Sequence, residues 1–86
     1  MAVKRRTIGV IGLGNFGSTV ATELQRFGNY VIGVDLNDQR VSNHVEKLSQ
    51  AVIVDARDDA ALREAGLGDC SMALVAMGSD LESSIL

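Results

Sequence analysis

The chain alternates between two hydrophobic rhythms. Unbroken apolar runs, rich in β-branched residues, occupy residues 7–11 (TIGVI), 30–34 (YVIGV), 51–54 (AVIV) and 72–76 (MALVA). Short runs of this kind, closed by Gly or Asp, predict strands buried on both faces. Between them, apolar residues recur every three or four positions. Phe16, Val20, Leu24 and Phe27 predict a first amphipathic helix, stopped at Gly28 and Asn29. Val41, Val45 and Leu48 predict a second, capped by Asn37 or Asp38 and carrying His44 near its middle as a surface residue. Leu62 and Ala65 predict a short third helix, capped by Asp58 and Asp59 and closed by Gly66. Ser79 stands three residues before Glu82, a capping-box spacing that starts a fourth helix near residue 80.

Strands that alternate strictly with helices imply parallel pairing through right-handed crossovers. A complete dinucleotide-binding sheet has about six strands in the order 3-2-1-4-5-6. Four are legible here. The expected fold class is therefore α/β: a Rossmann-like parallel sheet with helices on both faces, strand order 3-2-1-4, truncated after the fourth strand. That strand is left as an apolar edge that a partner chain could cover. The expected domain runs over residues 7–86, incomplete, behind a basic tail at residues 1–6.

Composition fits this picture. The 86 residues allow one small domain. Without Trp or Pro, and with 3% aromatics, the core must come from Val, Ile, Leu and Ala. The net charge is -3. Once Lys4, Arg5 and Arg6 are set aside, five basic side chains face eleven acidic ones. An acidic body argues against nucleic-acid binding. The basic triplet reads as a solvated tail. Cys70 is alone, which suits a reducing compartment. No run reaches the roughly 18 apolar residues of a membrane span.

The chemistry sits at the turn after the first strand. Gly12, Gly14 and Gly17 form a G-x-G-x-x-G in IGLGNFG, directly behind a strand and opening a helix. Gly12 permits the tight turn, Gly14 lets backbone approach a pyrophosphate, and Gly17 lets helix and strand pack closely. Leu13, Asn15 and Phe16 complete the loop, and the free N–H groups around Asn15 to Gly17 would face phosphates. Asp35, 23 residues after Gly12, ends the second strand, where a carboxylate accepts the ribose hydroxyls and repels a 2′-phosphate. It does not separate NAD from ATP, ADP or AMP. Asp55 ends the third strand and reads equally as an adenine contact or as the start of a turn. Met77 and Gly78 lie beyond the fourth strand, at the crevice where such sheets hold ligands. Cys70 falls at the opposite end, and no spacing suits a metal or a nucleophile–base pair. A nucleotide is held, with nothing poised to transform it.

With these motifs in place, the chain resembles the N-terminal half of an RCK domain, also called a KTN or TrkA-N domain. The resemblance covers residues 6–86 and rests on IGVIGLGNFGSTVATEL, VIGVDLN, AVIVDA, LREAGL and MALVAMG. Phe16 inside the glycine triplet is similar to the Ktr-type subset. The resemblance implies a cytoplasmic regulatory subunit of potassium transport, not an enzyme, bound to a membrane potassium transporter or channel subunit at the inner face of the cell membrane. It implies a homodimer assembling into a higher-order ring, whose shape a bound nucleotide, NAD(H) or ATP/ADP, would change. By this resemblance Gly12 to Phe16 hold phosphates, Asp35 the ribose, Asp55 and Ala56 the adenine end, and Met77 with Gly78 the far side. Ktr-type members often carry Arg where Asn15 stands, a forked donor suited to a third phosphate, so the choice among nucleotides stays open. The alternative reading is a cofactor-binding half-domain of an NAD-dependent oxidoreductase.

Overall fold

A computed structural model describes residues 6–77. Its four strands are β1 (Thr7–Ile11), β2 (Tyr30–Asp35), β3 (Gln50–Ile53) and β4 (Met72–Val75). They form one parallel sheet in the order β3-β2-β1-β4. The helices are α1 (Asn15–Arg26), α2 (Asp38–Ser42) and α3 (Asp59–Glu64), and a 3-10 turn at Leu67–Asp69 precedes β4. Class and strand order are those expected from the sequence. Gly78, Ser79 and the expected fourth helix lie outside the described residues.

The inner strands alternate apolar side chains between two faces, because crossover helices lie on both. On one face Val10 and Val31 pack with Leu13, Ala21 and Leu48, and Leu24 closes over them. On the other, Ile11, Ile32, Val34 and Val54 pack against Leu62 and Leu67. Val10, Val31 and Val34 are fully enclosed, each contributing about 1.5 kcal/mol or more relative to exposure. The outer strands are barer. Ile53 on β3 and Met72 and Val75 on β4 are about half exposed or more, and β4 is an outer strand among the described residues.

Two helices depart from expectation. The α1 period is correct but its phase is set by small residues. Gly17 and Ala21 are its buried positions, whereas Phe16 is exposed and Phe27 is 78% exposed. A Cβ at position 17 would overlap the Gly12 carbonyl oxygen and lie 3.2 Å from the Ala76 Cβ. The helix therefore lies too close to the sheet for a Phe on that side.

The second helix is cut short. Asn37 caps it, its side-chain oxygen accepting the Arg40 N–H at 3.1 Å, but it ends at Ser42. The His44 N–H then donates to Val41, a tighter i to i−3 bond, and the chain turns. Val41 and Leu48 are buried while Val45 points outward. His44 is buried too, not a surface residue. Its Nδ1 lies 2.7 Å from the Arg40 carbonyl. A carbonyl only accepts, so Nδ1 carries the proton, and the ring stitches the end of α2 closed. In α3 the cap is Asp58, which accepts the Ala61 N–H at 3.1 Å. Gly66 ends that segment at φ 103°.

Candidate functional site

The turn after β1 is wedged between its two neighbours. Gly12 has φ 104°, a region other residues rarely adopt. Its N–H donates to the Val34 carbonyl at 2.8 Å, and a Cβ there would stand 2.5 Å from the Ala76 carbonyl oxygen. Leu13 drops its side chain into the core, fixing the loop from below. Gly14 is the N-cap of α1, in extended conformation and with no side chain to cap it. The first helical bond runs from the Ser18 N–H to the Gly14 carbonyl at 2.8 Å. The N–H groups of Asn15, Phe16 and Gly17 meet no acceptor among the described residues. The first turn of α1 carries no acidic side chain. This is the positive end of a helix dipole, with donors aimed outward.

Asp35 joins this loop to the end of β2. Its Oδ2 accepts the Leu13 N–H at 2.7 Å and its Oδ1 accepts the Asn37 N–H at 2.8 Å. The Arg40 guanidinium lies 3.6 Å from Oδ2. The side chain is only 10% exposed. A carboxylate has about four acceptor sites, so two N–H bonds leave capacity for hydroxyl donors. The acid at the end of the second strand is thus also a clasp across 22 residues of sequence.

Asp55 is arranged otherwise. Its Oδ1 accepts both the main-chain N–H of Arg57 at 2.9 Å and Nε at 3.1 Å, and its Oδ2 accepts Nη2 at 3.0 Å. The fork holds the Asp55 carboxyl below its ordinary value of 3.8, with the Arg57 side-chain hydrogen bonds as the first cause and the main-chain bond as the second. The Arg57 pKa is raised by the same contact. The Asp58 N–H also donates to the Asp55 carbonyl at 2.9 Å. Asp55 starts the turn into α3, as one of its two sequence readings held.

These strand ends enclose a cavity of about 190 Å³. Ile11, Val34, Val54 and Ala56 form its apolar walls, with Leu36 and Met77 at the sides. Asp35, Asp55 and Arg57 supply its polar groups. Of the residues singled out from sequence, Asp35, Asp55, Ala56 and Met77 therefore meet around one cavity. Gly12 to Gly17 form the adjoining loop, tied to it through Leu13 and Asp35, and Gly78 lies outside the described residues. Leu36 and Arg57 were not singled out from the sequence. Arg57 had one readable signal, its place two residues past an Asp that ends a strand, where a side chain–main chain turn forms.

Other chemistry is sparse. No group of three or more His, Cys, Asp or Glu suited to a metal occurs among the described residues. Burial, and secondarily Asp69, pushes the Cys70 thiol above its ordinary pKa, away from the thiolate that reactivity needs. No helix among the described residues is long and apolar enough to cross a membrane.

Comparison with known proteins agrees with this geometry. The family model of the TrkA-N domain matches residues 8–86. Over 77 residues the chain is 40% identical to the Ktr system potassium uptake protein A of Vibrio alginolyticus, covering 90% of this chain and 35% of that protein. Over 84 residues it is 33% identical to the protein of the same name from Bacillus subtilis, covering 98% and 38%. Ktr system potassium uptake protein C of Bacillus subtilis is 33% identical over 82 residues, covering 95% and 37%. The chain thus spans little more than a third of each of these relatives. The match along nearly all of its own length shows that the chain belongs to the TrkA-N domain family.

Proposed function

We propose that this chain is the nucleotide-sensing part of a regulatory subunit that controls potassium transport through a membrane Trk/Ktr-type partner. The observation that carries the reading is the 2.7 Å bond from Leu13 to Asp35. It sets the donor-rich start of α1 and the ribose-binding acid at fixed separation beside one apolar cavity. NAD(H), ATP or ADP would place its phosphates at Gly12–Phe16, its ribose on Asp35, its base at the Asp55 and Ala56 end and its far side toward Met77. The relatives are named potassium uptake proteins, which supports the transport role and a place at the cytoplasmic face of the membrane, held there by the partner. Homodimers assembled into a ring would convert binding into gating, provided the nucleotide favours one ring state over another.

The test is a thermal-shift series with NAD, NADH, ATP, ADP, AMP and NADP. A bound nucleotide at a hundredfold excess over Kd stabilises the chain by about 2.7 kcal/mol. NADP should stabilise least, since Asp35 opposes a 2′-phosphate. Absence of a shift with all six overturns the nucleotide reading.

A further inference from the structure

The Asp55–Arg57 pair lies at the cavity but has no part in the clasp that ties the loop to Asp35. Three hydrogen bonds of 2.9, 3.1 and 3.0 Å join two residues that are two apart in sequence. An exposed ion pair ordinarily does little for stability, and the Arg57 side chain is 87% exposed. What the fork does accomplish is geometric. It uses Nε and Nη2 and fixes the guanidinium plane, leaving Nη1 without a hydrogen-bond partner among the described residues. Arg57 and Asp55 are lining residues of a cavity with apolar walls, and Asp35 is its remaining polar residue.

We infer that Arg57 is the base-recognising residue of this site, stacking its guanidinium on a purine ring whose ribose is held by Asp35, and that Asp55 is its positioning residue. The inference rests on the nucleotide reading above and adds the group that recognises the base. A planar, weakly hydrated guanidinium stacks on aromatic faces, and a Lys ammonium does not replace it. The carboxylate of Asp55 then faces the arginine rather than the adenine.

The experiment is an NMR titration of this chain with ADP and with ribose 5-phosphate, which keeps sugar and phosphate and lacks the base. Arg57→Ala should weaken ADP about tenfold, equivalent to about 1.4 kcal/mol, and leave ribose 5-phosphate unchanged. Arg57→Lys should behave like Arg57→Ala. Asp55→Asn should weaken ADP by a smaller factor, again without effect on ribose 5-phosphate. Equal losses on both ligands, no loss on either, or full rescue by Arg57→Lys would each overturn the stacking role, the last by showing a charge contact to phosphate. In each of those cases wild-type ADP binding, perturbing Leu13 and Asp35 amides, keeps the nucleotide reading intact. No wild-type binding of ADP would overturn both.

Discussion

Asp35 and Asp55 occupy similar places, one the last residue of the inner strand β2 and the other two residues past the outer strand β3. The protein uses them in opposite ways. Asp35 is nearly enclosed and reaches across the sheet to the Leu13 N–H. Asp55 is 36% exposed and is satisfied entirely by Arg57, its near neighbour. The difference comes from strand position. β2 is an inner strand whose end abuts the turn after β1, so its acid meets that turn's main chain. β3 is the outer strand, and its acid finds only the loop that follows it. A strand-terminal Asp therefore becomes part of the tertiary scaffold or of a local turn according to its neighbours, not its motif.

The comparison can be broken first at the far anchor of Asp35. Gly17→Ala puts a Cβ against the Gly12 carbonyl and forces α1 off the loop that Leu13 belongs to. It should cost about 3 kcal/mol in urea denaturation; a retained midpoint would show that the loop yields freely. Asp35→Ala comes next. It strands the Leu13 and Asn37 N–H groups, and should cost about 2 kcal/mol while weakening every adenosine ligand in calorimetry. Unchanged binding would remove Asp35 from the ribose role. Asp55→Ala should leave the denaturation midpoint where it was and alter only base-dependent affinity. A fall like that of Asp35→Ala would erase the distinction between the two acids.

The smallest effect is a pH dependence. The folded-state pKa of Asp55 is below its ordinary 3.8, so its stabilisation is complete above that value and is lost as pH falls through the folded one. Wild type and Asp55→Asn should differ near neutrality by an amount too small to move the denaturation midpoint but readable as a difference in the pH profile, and converge below pH 3.8. Convergence on raising the pH would contradict the sign.

The sheet was readable because its signals are local. Thr7–Ile11 is a β-branched run closed by Gly, and Asp35 follows Gly12 at the spacing a crossover unit imposes. The helix phases were not readable in the same way. Large residues dominate a hydrophobic stripe, yet Gly17 and Ala21 face the sheet in α1 and Phe27 does not. Nothing in the spacing of Val41, Val45 and Leu48 announced that the His44 ring would bond the Arg40 carbonyl and turn the chain. Within the site, the acids were visible as strand terminators. Arg57 was not, since an isolated charge after a strand ordinarily reads as solvated, and only the fork to Asp55 places it at the cavity.

Gly12 and Gly17 are required before any ligand arrives. One sits at a backbone angle that other residues rarely adopt with the Ala76 carbonyl against it, and the other is pressed on the Gly12 carbonyl. A descendant of this chain that lost its nucleotide would face the same steric demands and keep both glycines. In a genome, then, these two letters trace the ancestry of a fold. Evidence that a living copy still senses anything must be sought in the side chains that line the cavity, where drift is free to act once binding ceases to matter.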